Sequence, residues 1–117
     1  MKTLNRATGR SGEVFAARAL ADKGYIIIEK NFANKFGEID IIAKDKGTLV
    51  FVEVKAKTGI EYGMPEEMVG RGKLQRIRNM ATLYMKGKIV SCRIDVVAIV
   101  LDSNNEVVRL THYENVY

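Results

Sequence analysis

The chain has 117 residues, 47% of them hydrophobic and 28% charged, a balance that suits one globular domain spanning 1–117 and leaves no room for a second independent core. Its 19 Lys and Arg against 14 Asp and Glu give a net charge of +5, which favours a polyanionic partner without requiring one. Residues Met1 to Gly12 are polar, and no run approaches the ~20 apolar residues of a membrane span, so the cytoplasm is the expected compartment and no membrane partner is expected.

Ser11 is placed to cap a helix running to about Lys23, with Glu13 in its first turn and Gly24 as its stop. Phe15, Ala16, Ala19 and Leu20 lie on one face of it. Tyr25 to Glu29 reads as a first strand, rich in β-branched residues. Glu38 to Ala43 and Thr48 to Lys55 read as an antiparallel hairpin turning at Lys44-Asp45-Lys46-Gly47. Ala56 to Gly63 is polar and glycine-broken, which predicts a loop, and Pro65 marks a turn or short helix start. A second helix is expected from about Gly72 to Lys86, with Leu74, Ile77, Ala81 and Tyr84 as its buried stripe. Two strands, Arg93 to Leu101 and Val107 to Tyr113, flank a turn at Asp102 to Asn105. The lone Cys92 sits in an apolar context and reads as a buried structural thiol.

The hairpin carries the chemistry. Side chains two apart on a strand share a face, so Glu53 and Lys55 point the same way. With Lys44 set opposite Gly47, Asp40 falls opposite Phe51 and becomes a diagonal neighbour of Glu53, with α-carbons about 7–8 Å apart. Two carboxylates at that separation can converge on one cation. Ile39, Ile41, Val50, Val52 and Val54 then form a continuous apolar surface on the other face. A Glu-x-Lys spacing alone is weak and also describes a solvated pair on a half-exposed strand. An Asp on the preceding strand, with matching parity, raises it.

Asp40 followed by Glu53-Val54-Lys55 resembles the PD-(D/E)xK nuclease motif. The chain as a whole is similar to the YraN family of endonuclease-like proteins, through Gly9-Arg10-Ser11-Gly12-Glu13, Gly24-Tyr25, Gly37-Glu38-Ile39-Asp40-Ile41-Ile42-Ala43, Leu49 to Lys55 and Cys92 to Val97. That resemblance implies an α/β fold with a restriction-endonuclease-like core, a mixed five-stranded sheet flanked by helices in the order αβββαββ. It implies Asp40 and Glu53 as metal ligands, Glu13 completing the metal site, and Lys55 as the catalytic lysine. The family's usual proline before the Asp is replaced by Ile39. The cofactor implied is Mg²⁺, with Mn²⁺ as a substitute, and the substrate a nucleic acid, DNA before RNA, with branched or structured forms among the candidates. A homodimer is expected by analogy with archaeal Holliday junction resolvases, which the family resembles distantly.

Other residues carry weaker signals. Lys73, Arg76 and Arg78 form a basic helix face, read either as solvated surface or as phosphate contacts. Glu38 shares a face with Asp40 and reads either as a group supporting the site or, preferred, as a solvated residue at the strand start. Asp95 interrupts an apolar strand and reads as a structural acceptor for backbone groups, and His112 reads as a surface residue. Two other functions compete: a nucleic-acid-binding module that does not cut, and an interaction protein with no nucleic-acid role.

Overall fold

The computed structural model describes residues 2–116, with side chains from Arg10 onward. Helix α1 spans Lys2–Asp22, followed by strands β1 (Ile26–Asn34), β2 (Gly37–Asp45) and β3 (Thr48–Thr58). A 3₁₀ turn at Pro65–Met68 leads into helix α2 (Arg71–Met85), and strands β4 (Cys92–Leu101) and β5 (Val107–Tyr113) complete the chain. The five strands form one sheet in sequential order. Every neighbouring pair is antiparallel except β3 and β4, which run parallel. That pair requires a crossover, and α2 supplies it. No described helix is long and apolar enough to cross a membrane.

The expected αβββαββ order is present, with longer elements at several points. Ser11 is not a cap: α1 begins nine residues earlier, at Lys2. The segment before Ser11 contains no proline, and its Thr, Asn and Gly residues cost a helix only tenths of a kcal/mol to about 1 kcal/mol each. Glu13 consequently sits in the middle of the helix. Its end is where Gly24 predicts it, with φ +94° and the Tyr25 N–H reaching back 3.0 Å to the Leu20 carbonyl. Strand β3 runs on through Ala56 to Thr58, taking the start of the expected loop into the parallel pairing with β4.

Both faces of the sheet are covered. Ala16, Ala17 and Leu20 of α1 pack on Ile41, Ala43, Val50, Val52, Val97, Ile99 and Leu101. Ile77, Met80 and Ala81 of α2 pack on Ile39, Ile42, Phe51 and Ile94, with Leu74 and Tyr84 partly buried beside them. This corrects the one-sided hairpin expected from alternation. Ile39 belongs to the α2 side with Ile42, while Ile41 belongs to the α1 side, so the alternation of β2 is broken around Asp40.

A second polar cluster ties the chain's end to the sheet. Asp95, fully buried, accepts from Arg93 Nε (3.0 Å) and from the backbone N–H of Asn115 (3.0 Å), and lies 2.8 Å from His112 Nε2. Arg93 also reaches Asp45 (3.1 Å) and the Tyr25 hydroxyl. His112 is therefore buried, its side chain 4% exposed, and not the expected surface residue. Cys92, by contrast, is exposed, because it opens β4 before the strand enters the core.

Candidate metal centre

Asp40 lies where two strand pairings are interrupted. Between β1 and β2 the paired positions run from Lys30–Ile41 to Phe32–Ile39, passing over Asn31 and Asp40. Asn31 has φ +55°, a left-handed conformation that Asn tolerates better than most residues. Between β2 and β3 the pairing runs from Asp45–Thr48 to Ile41–Val52 and stops there. Asp40 and Glu53 are the next residues along the two strands. The register thus differs from the expected one by two residues, because the turn is the tighter Lys46-Gly47 pair. A shift of two preserves parity, so Glu53 remains on the side expected of it.

Where the ladder ends, the Asp40 carboxylate replaces it: Oδ2 accepts the backbone N–H of Val54 at 2.8 Å. From this position Asp40 is a close enough neighbour of both Glu53 and Glu13 to raise their carboxyl pKa values. Carboxylate oxygens of Glu13, Glu38 and Asp40 all lie within 4.8 Å of one another. Glu13 arrives from α1, which crosses β3 closely at Gly12: a β-carbon there would stand 2.6 Å from Ala56 Cβ. Only glycine permits that approach. With its amide turned to donate, Asn31 Nδ2 bridges Glu13 Oε1 and Glu38 Oε1 at 2.8 Å each.

Crowding and burial shift the acids. Glu53 is buried, and desolvation together with Asp40 pushes its carboxyl up to about 8, with Lys73 pulling the other way. Desolvation, then Asp40 and Glu38, push Glu13 up to about 7. Lys73 of α2 places its ammonium 3.0 Å from Glu53 Oε2. This contact is an ion pair, and the buried oxygen has no other partner among the described residues. Lys55, half-buried on the same side of β3 as Glu53, makes no hydrogen bond or ion pair with another described residue.

The structure therefore gathers Asp40, Glu53 and Glu13, with Lys55 alongside. Of the basic helix face, Lys73 turns into the cluster. Arg76 packs against Gly37, where a β-carbon would come within 3.1 Å of its Cδ, and Arg78 lies exposed on α2. Glu38, for which the residue pattern prefers a solvated position over a supporting one, is a member of the cluster although exposed. Asn31 and the Lys73–Glu53 contact were not anticipated. Asn31 carries a faint sequence signal, an amide within a β-branched strand. Lys73 carries none, since its partner is set by how α2 crosses the sheet.

A family profile described as the uncharacterised protein family UPF0102 matches residues 12–99. The chain belongs to that family. It is 42% identical to a UPF0102 protein of Pelotomaculum thermopropionicum over the full length of both chains. A UPF0102 protein of Dictyoglomus turgidum is 37% identical over 97% of this chain and 98% of its own, and one of Syntrophus aciditrophicus is 45% identical over 85% and 80%. The matched segment takes in Glu13, Asp40, Glu53, Lys55 and Lys73, so the whole cluster lies within the family's shared region.

Proposed function

We propose that this UPF0102 protein is a magnesium-dependent nuclease that hydrolyses phosphodiester bonds in nucleic acid, DNA before RNA. The observation that carries the reading is the convergence of Glu13 and Glu53 on Asp40 at a gap in the sheet, with a buried Glu53 oxygen that has no partner but Lys73 among the described residues. Acids crowded until two of them titrate near 7 and 8 are unfavourable alone, and a hard divalent cation is the ligand that relieves them. The donors are oxygen only: Glu13, Glu38 and Asp40 bring carboxylate oxygens within 4.8 Å of one another, with Glu38 open to solvent, and Glu53 stands beside Asp40.

Asp40, Glu53 and Glu13 would hold Mg²⁺ or Mn²⁺. Bound there, the cation supplies charge neutralisation at the phosphate and a more acidic water. The chain's own residues do the rest. Val54 N–H fixes the Asp40 carboxylate in the gap, and Asn31 holds Glu13 and Glu38 at a set separation. Lys55 presents an ammonium beside Glu53, suited to orient the attacking water and to stabilise charge on the phosphate as the bond breaks.

A second reading rests on Lys73. Its ammonium already neutralises part of the Glu53 charge, which suits a module that holds nucleic acid without cutting it. One experiment separates the two. Labelled single strands, duplexes and branched junctions are incubated with the protein in Mg²⁺ or Mn²⁺, beside Asp40→Ala and Glu53→Ala. The nuclease reading expects products from the unaltered protein with metal and none with chelator or from either variant. Binding that persists in chelator with no nicked product on any substrate overturns it.

A further inference from the structure

A concavity of about 500 Å³ lies between the β1–β2 turn and α2. Phe36, at the tip of the β1–β2 hairpin, forms one wall, and Gly72, Arg76, Asn79, Met80 and Leu83 of α2 form the other. Phe36 is 55% exposed although it is a large aromatic residue. It is nevertheless held in place: its N–H bonds to Asn34 Oδ1 at 2.8 Å. Gly37 next to it, at φ +146°, presses so closely on α2 that a β-carbon would meet Arg76 Cδ at 3.1 Å and Met80 Sδ at 3.4 Å. The exposed ring is thus carried on a pinned turn.

Its surroundings are basic. Lys35 lies over the Phe36 ring at 5.2 Å, and Arg76 lines the concavity with no acidic residue among the described ones. Residues lining the concavity are close in the chain to residues of the candidate metal centre. Gly72 is the chain neighbour of Lys73, which contacts Glu53, and Phe36 stands two residues before Glu38 of the acidic cluster. At about 3.3 Å per strand residue, Phe36 is roughly 13 Å along the chain from Asp40. That is a step of a very few nucleotides.

We propose that this concavity takes an unpaired nucleobase of the strand whose phosphate lies at the metal centre, stacked on Phe36 and edged by Arg76 and Asn79. The assignment rests on the nuclease reading above and adds a substrate class: nucleic acid with single-stranded character next to the scissile bond. Aromatic side chains flanked by cations are how proteins hold single strands, the ring taking the base face and the cations the backbone. A stacked base in a duplex already has both faces covered and cannot use the ring.

The chain contains no tryptophan, so Phe36→Trp introduces a single fluorophore at that turn. The probe is a short oligothymidylate, compared with a blunt duplex, in Ca²⁺ or chelator so that strands stay intact. The expected result is quenching by the single strand and not by the duplex. Phe36→Ala is expected to weaken single-strand affinity roughly ten-fold with duplex affinity unchanged, and Phe36→Tyr to restore it. Arg76→Gln is expected to lower the salt slope of single-strand binding by about one. Equal single-strand affinity of Phe36→Ala and the unaltered protein, equal quenching by duplex, or no single-strand binding overturns the proposal. Cleavage assayed in parallel keeps the two readings apart: products with unaffected Phe36 variants sink the base site alone, and absence of products sinks the nuclease reading.

Discussion

The Asp40 carboxylate takes the backbone N–H of Val54 at 2.8 Å, at the point where strands β2 and β3 cease to pair. Asp40 is therefore both a strand-gap filler and the centre of the acidic cluster. Its replacement acts on two quantities that separate experimentally. Asp40→Ala leaves the Val54 N–H without its acceptor and is expected to cost about 1–3 kcal/mol of stability. Asp40→Asn retains an acceptor and should cost less. Both should abolish saturable Mg²⁺ binding. Calorimetric titration beside denaturant unfolding checks this, and normal Mg²⁺ uptake by Asp40→Asn would remove Asp40 from the metal site.

Glu53 sets an activity–stability conflict. Burial first, and Asp40 second, raise its carboxyl from 4.5 to about 8. A carboxyl raised on folding contributes stability that is complete below its unfolded value and is lost as pH rises through its folded value. The metal-free protein should thus lose stability between about pH 4.5 and 8. Glu53→Gln, neutral throughout, is expected to be about 1–3 kcal/mol more stable than the unaltered protein at pH 8, with little difference at pH 4.5. Melting temperatures measured across that range test the sign. A Glu53→Gln protein less stable at pH 8 would contradict it.

Gly12 is a spacing residue for Glu13. A methyl group at that position would enter the space of Ala56 Cβ and push α1 off the sheet. Gly12→Ala is expected to cost about 1–3 kcal/mol by overpacking, against the few tenths to 1 kcal/mol gain that alanine normally brings to a helix interior. Because Glu13 moves with the helix, metal affinity should fall as well. Ala56→Gly in the same background should recover both.

Asn31 bridges Glu13 and Glu38 without being a ligand in this reading. Asn31→Ala is expected to lower metal affinity by roughly 10–100-fold while leaving the fold intact. Because Asn31 also sits at φ +55°, Asn31→Gly separates the roles. It relieves the backbone and still lacks the amide, so it should lose metal affinity and keep stability.

The Asp95 cluster governs acid stability. Burial alone would raise this carboxyl, but the hydrogen bonds from His112, the Asn115 N–H and Arg93 outweigh it and hold it below the ordinary range. A depressed carboxyl contributes stability that is present above its unfolded value and lost as pH falls through its folded one. Asp95→Ala is expected to cost about 3–5 kcal/mol near neutrality, since Arg93 loses its buried partner. It should also flatten the decline of stability below about pH 4.

Much of this architecture was legible from residue order. Runs such as Ile39 to Ala43 and Leu49 to Val54 announce strands, and Gly24 and Gly87 punctuate helices as their positive φ requires. Asp40 and Glu53 come together although the turn is tighter than the residue pattern predicts, because a two-residue shift preserves parity. What could not be read was set by contacts distant in sequence. The side taken by Ile39 depends on the paired interruptions at Asn31 and Asp40. His112 is buried because Asp95, 17 residues earlier, needs a partner. Cys92 is exposed because the core begins at Ile94. Lys73 meets Glu53 only after α2 has crossed the sheet.

That last relationship bears on the order of assembly. Strands β1, β2 and β3 are joined by tight turns and are expected to form by local encounter, with α2 expected to settle as β4 closes its parallel pairing with β3, the slower kind of event. The carboxylates would then be brought together before the ammonium that partly offsets them arrives. A divalent ion present during refolding should act as an early counter-charge, speeding collapse of the native chain and doing far less for one in which Glu53 is amidated.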